Sequence, residues 1–427
     1  MENSRLRNSR LLVALAVVLE AVFVVVAWRP NAANFPLPRT LLWLSAAGIF
    51  YLIAVAVTLR AHTGSGLRLR WIVLAAVVFR LTLLPLTPQS AAQAQRYRWD
   101  GKIQQAGFNP YAYPPASDMF SPVRAPEDAA VPNPQVAATA PPLAELLFRW
   151  NFGWSSGLRT GKILWVVCDL LLIGLLIRML RRRALPLEWV LLYAWSPLAV
   201  YEVAGNGHLA PAATLLLLAA LHGVEKRPRW AAAAAVAAGM TQWFAWTLAP
   251  VVVVAARRRW RSVLAAGVAA AVLFSLPFWF FSTRFMLPAL AGNVRSYLAA
   301  APIYNASLYA LVHAWFGAHA GVVLAVALTL AAIVSACVRR LPPLRAGFVI
   351  ISTLLLVLPQ VHPWFALWLL PLVVFYPQAP WLYFSVAVLW AYLVGTHPWG
   401  VLIEYAPLYA LLAWQAWQRP RAAKQPA

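Results

Sequence analysis

Apolar runs long enough to cross a bilayer recur through almost the whole chain, and this repeat constrains the fold more than any other feature. A spanning helix needs roughly 20 apolar residues, with a range of about 17–25. With some shorter runs admitted, candidate spans lie at 11–28, 41–59, 71–87, 160–177, 186–203, 208–223, 262–281, 319–338, 346–360, 364–377, 381–396 and 400–417. Of the 427 residues, 62% are hydrophobic and 11% are charged. A soluble domain carries about a quarter charged residues, so most of this surface must face lipid. The reading is an all-α, polytopic membrane protein of about 12 spanning helices.

Charge placement sets the orientation. A formal net charge of +23 invites a nucleic-acid partner, but the basic residues form short clusters between apolar runs, so no nucleic acid is inferred. With the N-terminus in the cytoplasm, 23 of the 35 Lys and Arg residues fall in inner segments. Eleven fall in outer segments, seven of them between Arg96 and Lys162. That asymmetry predicts both termini on the cytoplasmic side. Arg5, Arg7 and Arg10 precede the first run as in a signal peptide. The run itself is long, carries Glu20 and lacks a small-residue cleavage site, so it reads as an uncleaved first span.

The expected organisation is three spans over 1–87, an extracytoplasmic loop over 88–158, a membrane bundle over 159–417, and a basic cytoplasmic tail over 418–427. Residues 230–256 lie between two basic clusters that should share one side. They are too few for two crossings, so they predict a helical hairpin turning near Gly239–Gln242. Each arm of about 13 residues would reach about 20 Å. The alternative is one crossing with a compensating span near 301–316.

Chemistry concentrates in a few places. On a helix over 91–106, Gln93, Tyr97, Asp100 and Gln104 share one face, and Arg96, Trp99 and Ile103 another. Asp100 can serve as a general base or pair with Arg96 or Lys102. Tyr111 and Tyr113, in NPYAYPP, suit a sugar or the headgroup layer. PPLAELLFRW (141–150) reads as an amphipathic surface helix opened by proline. His208, in AGNGHLAP, can meet a phosphate, exchange a proton or close a turn. HPW occurs at 362–364 and 397–399, at predicted span ends. Glu20, Arg80, Asp169 and Glu202 lie in or beside spans and must pair or line a cavity. Cys168 and Cys337 sit in apolar runs and indicate neither a disulfide nor a metal site. No nucleotide-binding loop or metal motif occurs, and no metal ligand is assigned.

RYRWDGK, GFNPYAYPP and ATAPPLAELLF resemble the first outer loop of GT-C superfamily glycosyltransferases. The subgroup most similar in pattern is the bacterial mannosyltransferase-like proteins that use polyprenyl-phosphate sugars. WSPLAVYEVAGNGH (195–208), the stretch 239–250, YNASLYALV (304–312) and VHPWFALWLLP (361–371) resemble its later segments in the same order. The likeness runs from about residue 71 to 377.

The resemblance implies an active site at the outer face of a bacterial cytoplasmic (inner) membrane. It implies a polyprenyl-phosphate sugar donor, usually mannose or another hexose, a glycan or lipid acceptor among membrane lipids, and no metal or organic cofactor. It points to Asp100 as the catalytic base and to Arg96, Lys102, His208 and His362 as donor-phosphate contacts. Tyr111, Tyr113 and Trp364 become sugar or lipid contacts. Four positions depart from the pattern: Gln93 and Ala210 stand where Asp is usual, Gln242 where Lys is usual, and Ala140 where Tyr is usual. Gln93 lacks the usual acid, and Asp100 lies about 10.5 Å further along the helix axis. Three functions therefore compete: an active transferase, a silent relative that binds a lipid-linked glycan or partners an active enzyme, and a lipid or solute transporter.

Overall fold

The computed structural model describes residues 2–28, 37–61, 67–88, 92–280, 290–296, 303–395, 397 and 399–422. Every regular element among them is helical. In chain order these are α1 (Glu2–Ala27), α2 (Leu37–Arg60), α3 (Leu69–Leu83), α4 (Ala92–Gln105), α5 (Pro142–Trp154) and α6 (Lys162–Arg182). Then come α7 (Leu191–Ala194), α8 (Pro197–Val200), α9 (Ala210–Gly223), α10 (Pro228–Gly239), α11 (Ala249–Ala255) and α12 (Trp260–Phe280). The chain closes with α13 (Leu308–Val338), α14 (Pro343–Val357), α15 (Leu370–Val373), α16 (Ala379–Ala387) and α17 (Gly400–Ala422). Residues 89–91, 281, 301–302, 396 and 423–427, where some expected boundaries fall, lie outside the described residues.

The chain is a polytopic all-α membrane protein, but the expected dozen spans are not equivalent. Five helices among the described residues are long and apolar enough to cross a membrane: Arg5–Ala27, Leu37–Arg60, Lys162–Arg182, Arg257–Phe278 and Leu308–Val338. The others are shorter or broken, and prolines stand at the breaks. The run 186–203 becomes a 3-10 turn (Leu187–Val190), α7, α8 and a π-turn (Tyr201–Gly205). Pro197 disfavours helix at Ser196 and removes a backbone donor. The run 364–377 breaks into a 3-10 turn (Pro363–Trp368) and α15, and 381–396 into α16 and a 3-10 turn (Val388–Leu393). Residues 308–316 open α13, which bends at Gly317 and continues.

These pieces sort by burial. Every residue from 190 to 214 is buried or nearly so. The long helices lie outside, with Val17, Leu171, Val268 and Val323 each more than half exposed. That arrangement follows from the solvent: lipid cannot bond a free carbonyl, so irregular backbone survives only inside protein. Buried polar side chains tie the pieces together. The Arg80 guanidinium pairs with Asp169 and donates to Ala76 O at 2.9 Å and Ala194 O at 2.8 Å. Tyr193 donates to the other Asp169 oxygen, Thr82 donates to Glu20, and Asn305 Nδ2 donates to Glu404 Oε2 at 2.7 Å.

Residues 228–255 form two arms, α10 and the Trp243–Leu248 turn with α11, joined at 240–242. At their feet, Glu225 and Pro228 line one cavity with Arg257, Arg258 and Arg259. Gly239 allows the arms to close, because a Cβ there would lie 2.5 Å from the Trp246 ring. The tip meets the long loop: Ala144 N donates to Met240 O at 3.1 Å, and Trp243 Nε1 to Thr139 O at 3.0 Å.

Removing Asp169 leaves a buried guanidinium without its counter-charge. Asp169→Ala is expected to destabilise the protein by about 3–5 kcal/mol, the range for breaking one side of a buried pair. Asp169→Leu combined with Arg80→Met should recover most of that loss. Melting in detergent checks both, and an unchanged melting temperature for Asp169→Ala would remove the clamp role.

Candidate active site

The long loop folds on a crossing of two helices. At Gly101 of α4 the backbones nearly touch: a Cβ there would lie 2.4 Å from Phe148 O and 2.7 Å from Phe152 Cβ. Tyr97 stacks on Phe148 with ring centres 4.4 Å apart. The opposite face of α4 is buried too, where Trp99 and Ile103 pack with Phe120 and Val131. Lys102 donates to Asp128 at 2.6 Å, and Arg98 pairs with Asp128 and Glu127. The segment 106–141 is irregular apart from two short 3-10 turns, as its prolines predict, and α5 begins at Pro142.

Between the two helices lies a pair of carboxylates. Asp100 is buried, and Arg96 Nε donates to its two oxygens at 3.0 and 2.9 Å. Glu145, in the first turn of α5, is fully buried. Gln104 Nε2 donates to Glu145 Oε2 at 2.8 Å and also meets Glu145 O and Asp100 O at 3.0 Å. Glu145 Oε1 accepts no hydrogen bond among the described residues. Burial pushes Asp100 above the ordinary carboxylate range, against the pull of Arg96. Glu145 is pushed well above it by burial and then by the charge of Asp100. Tyr111 is raised by burial and by both carboxylates, so its ring lies near the pair. Its hydroxyl donates to Ala140 O at 2.8 Å.

A second seat forms around the π-turn. Glu202 is fully buried, with the Tyr392 hydroxyl 3.0 and 2.9 Å from its oxygens and Asn206 Nδ2 3.4 Å from Oε2. His208 Nε2 lies 3.2 Å from Glu202 Oε2, outside hydrogen-bond geometry, and neither ring nitrogen is bonded among the described residues. The His208 ring opens a stacked column. Trp364 lies 4.0 Å from it, His362 is 4.4 Å from Trp364, and Tyr304 is 4.7 Å from His362. Lys162, also buried, holds the turn by donating to Leu86 O at 2.7 Å, Ala204 O at 2.6 Å and Gly205 O at 3.0 Å.

The seats join in two places. The Tyr97 hydroxyl lies beside the main chain of Leu209, next to His208. At the hairpin tip, Gln242 Oε1 accepts from Trp368 Nε1 at 3.1 Å, and Trp368 stacks on Phe365 beside His362. An ion pair and a proton acceptor on one side, and an imidazole–indole column on the other, can exchange protons and bind an anion.

The sequence-derived candidates divide accordingly. Arg96, Asp100 and Tyr111 meet at the first seat; His208, His362 and Trp364 meet at the second. Asp100 pairs with Arg96 in a buried setting rather than on a solvated face, and Lys102 is drawn to Asp128. Tyr113 is exposed, edge-on to Phe120. Gln93 sits half-buried in the first turn of α4. In the second HPW, His397 and Trp399 pack edge-on against each other and are both exposed. Sequence reasoning missed Glu145, Lys162 and Tyr392. The signal for Glu145 was a carboxylate three residues from Phe148 on the apolar face of an amphipathic helix.

Because the fold favours neutral Glu145, its contribution is complete below the ordinary value of 4.5 and is lost as pH climbs through the raised value. The melting temperature should therefore fall as pH rises from the ordinary value of 4.5 through the raised one. Glu145→Gln, neutral at every pH, should make the decline shallower. An identical slope in both proteins would show that Glu145 does not titrate in this way.

A sequence profile described as glycosyltransferase family 87 matches residues 139–359, just over half of the chain. The matched stretch contains Glu145, Lys162, Glu202, His208 and the hairpin. Comparison with curated proteins and with solved structures returns no match. With a helical membrane bundle, a carboxylate pair in its long loop and an imidazole column beside it, the chain belongs to glycosyltransferase family 87, a GT-C-type family.

Proposed function

We propose that this membrane glycosyltransferase moves a hexose, mannose in our reading, from a polyprenyl-phosphate donor to a lipid or glycan acceptor. The reaction takes place at the outer face of a bacterial cytoplasmic membrane, with both termini inside. The observation that carries the reading is the junction at the hairpin tip, where the loop holding Asp100 and Glu145 meets the aromatic column that includes His208 and His362.

In this reaction the acceptor hydroxyl attacks the anomeric carbon. The bond from that carbon to the donor phosphate oxygen breaks, and its electron pair leaves with polyprenyl phosphate. A loop carboxylate takes the hydroxyl proton, which is general-base catalysis. His208 and His362 face the phosphate, supported by Arg96 from the loop while Lys102 stays with Asp128, and donate to the oxygens on which charge develops. Tyr111 offers its ring to the sugar, Trp364 holds the two imidazoles stacked on its faces, and the exposed Tyr113 meets the acceptor or the lipid. No metal or organic cofactor takes part.

A second reading, a silent relative that retains the lipid-linked ligand, is favoured by one observation. Gln93 and Gln242 stand where the resembling proteins place an acid and a base, and Gln242 uses its oxygen to hold Trp368.

Purified protein given polyprenyl-phosphate mannose and membrane acceptors is expected to transfer the sugar. His208→Ala should lower kcat/KM by about 10-fold or more, a loss of about 1.4 kcal/mol in transition-state binding. Binding of polyprenyl phosphate without transfer from any hexosyl donor would favour the silent reading. Neither binding nor transfer would sink both.

A further inference from the structure

We propose that Glu145 is the catalytic base that takes the proton of the acceptor hydroxyl, and that Asp100 is a positioning residue beside it. The inference rests on the glycosyl-transfer reading above and names the group that does its proton chemistry.

A base needs a free lone pair where the substrate arrives. Both oxygens of Asp100 are engaged by Arg96, whose Nη1 is itself held by Val136 O at 3.0 Å. Glu145 differs in each respect. Among the described residues no cation lies within ion-pair distance of it. Gln104 fixes Oε2 and so sets the plane of the carboxyl group, while Oε1 is buried and accepts nothing. No protein donor among the described residues competes for that lone pair, so it is available to a hydroxyl that arrives with substrate. The preceding residue, Ala144, is bonded to Met240, so Glu145 sits where the loop meets the hairpin tip. Its place in the first turn of a helix opposes part of the upward push of burial and so helps the ionised form that acts as base.

The surroundings tune it. From α4 it faces Asp100 and Arg96, and from the segment that follows α4, Tyr111. The hairpin tip, Met240–Gln242, carries no charge, and the only charged residue of α12, which packs on α5, is Arg261 near its start. The negative charge of Asp100 makes Glu145 a stronger base, and Arg96 opposes that effect. In the reaction the proton passes from the acceptor oxygen to Oε1. The electron pair it leaves forms the new bond to the anomeric carbon, and the pair of the broken bond departs on polyprenyl phosphate. Glu145 returns its proton to water after product leaves.

The test is the pH dependence of kcat with polyprenyl-phosphate mannose and membrane acceptors, for the wild type, Glu145→Gln, Glu145→Asp and Asp100→Asn. Turnover in the wild type should rise with pH through the raised Glu145 value. Glu145→Gln should lose about 10²–10⁴-fold, the usual contribution of a general base. It should keep the upward shift in melting temperature that polyprenyl phosphate produces, which separates lost chemistry from lost folding. Glu145→Asp should recover part of the rate. Asp100→Asn should keep at least about a tenth of the rate, since it removes no proton acceptor, and its rising limb should move to lower pH because the neighbouring charge is gone. If Asp100→Asn does not fold, Asp100→Ser, which is neutral and leaves Arg96 in place, carries the same expectation. Glu145→Gln within tenfold of the wild type, or a rising limb that moves upward in Asp100→Asn, overturns the assignment. A wild type inactive with every hexosyl donor overturns the glycosyl-transfer reading instead, and takes the assignment with it.

Discussion

Each carbonyl released where the central helices break needs a donor from within the protein, because neither lipid nor water reaches it. Lys162 is that donor. Its ammonium is buried among Leu86 O, Ala204 O and Gly205 O, and so ties the end of α3, the start of α6 and the π-turn to one point. A buried amine bonded to several carbonyls at once has few alternative arrangements, and so fixes the turn at Gly205. Glu202, Asn206 and His208 all take their positions from that turn.

The second dependence is the docking of the loop onto the bundle. The α4–α5 crossing requires glycine at 101, since any side chain would enter Phe148 and Phe152. That crossing brings Gln104 to Glu145 and places the start of α5 on the hairpin tip. The two seats are thus separate in origin, one carried by the loop and one by the bundle. Chemistry that needs both depends on contacts made by Met240, Gln242 and Tyr97, none of which is an acid or a base at neutral pH.

Much of this was legible in the chain. The apolar runs announced a helical membrane protein, and the ordered motifs announced the glycosyltransferase family. The loop helices fell close to where proline and amphipathic spacing put them: α4 runs over Ala92–Gln105 against an expected 91–106, and α5 begins at Pro142. What escaped was of two kinds. Broken spans such as 186–203 read as continuous because hydrophobicity does not report where a proline interrupts hydrogen bonding. Glu145 escaped because it lies 45 residues along the chain from Asp100 on a different helix, and nothing local brings the two together.

By itself the sequence determined the class of protein, a helical polytopic membrane protein of the glycosyltransferase kind. Those properties are local or periodic, and spacing along the chain encodes them. Only the tertiary structure decided that Arg96 engages both oxygens of Asp100, that Glu145 keeps one oxygen unbonded, and that His208 and His362 face opposite sides of Trp364 in one column. Those outcomes depend on which buried groups compete for the same partner, and that competition exists only once distant segments are packed together.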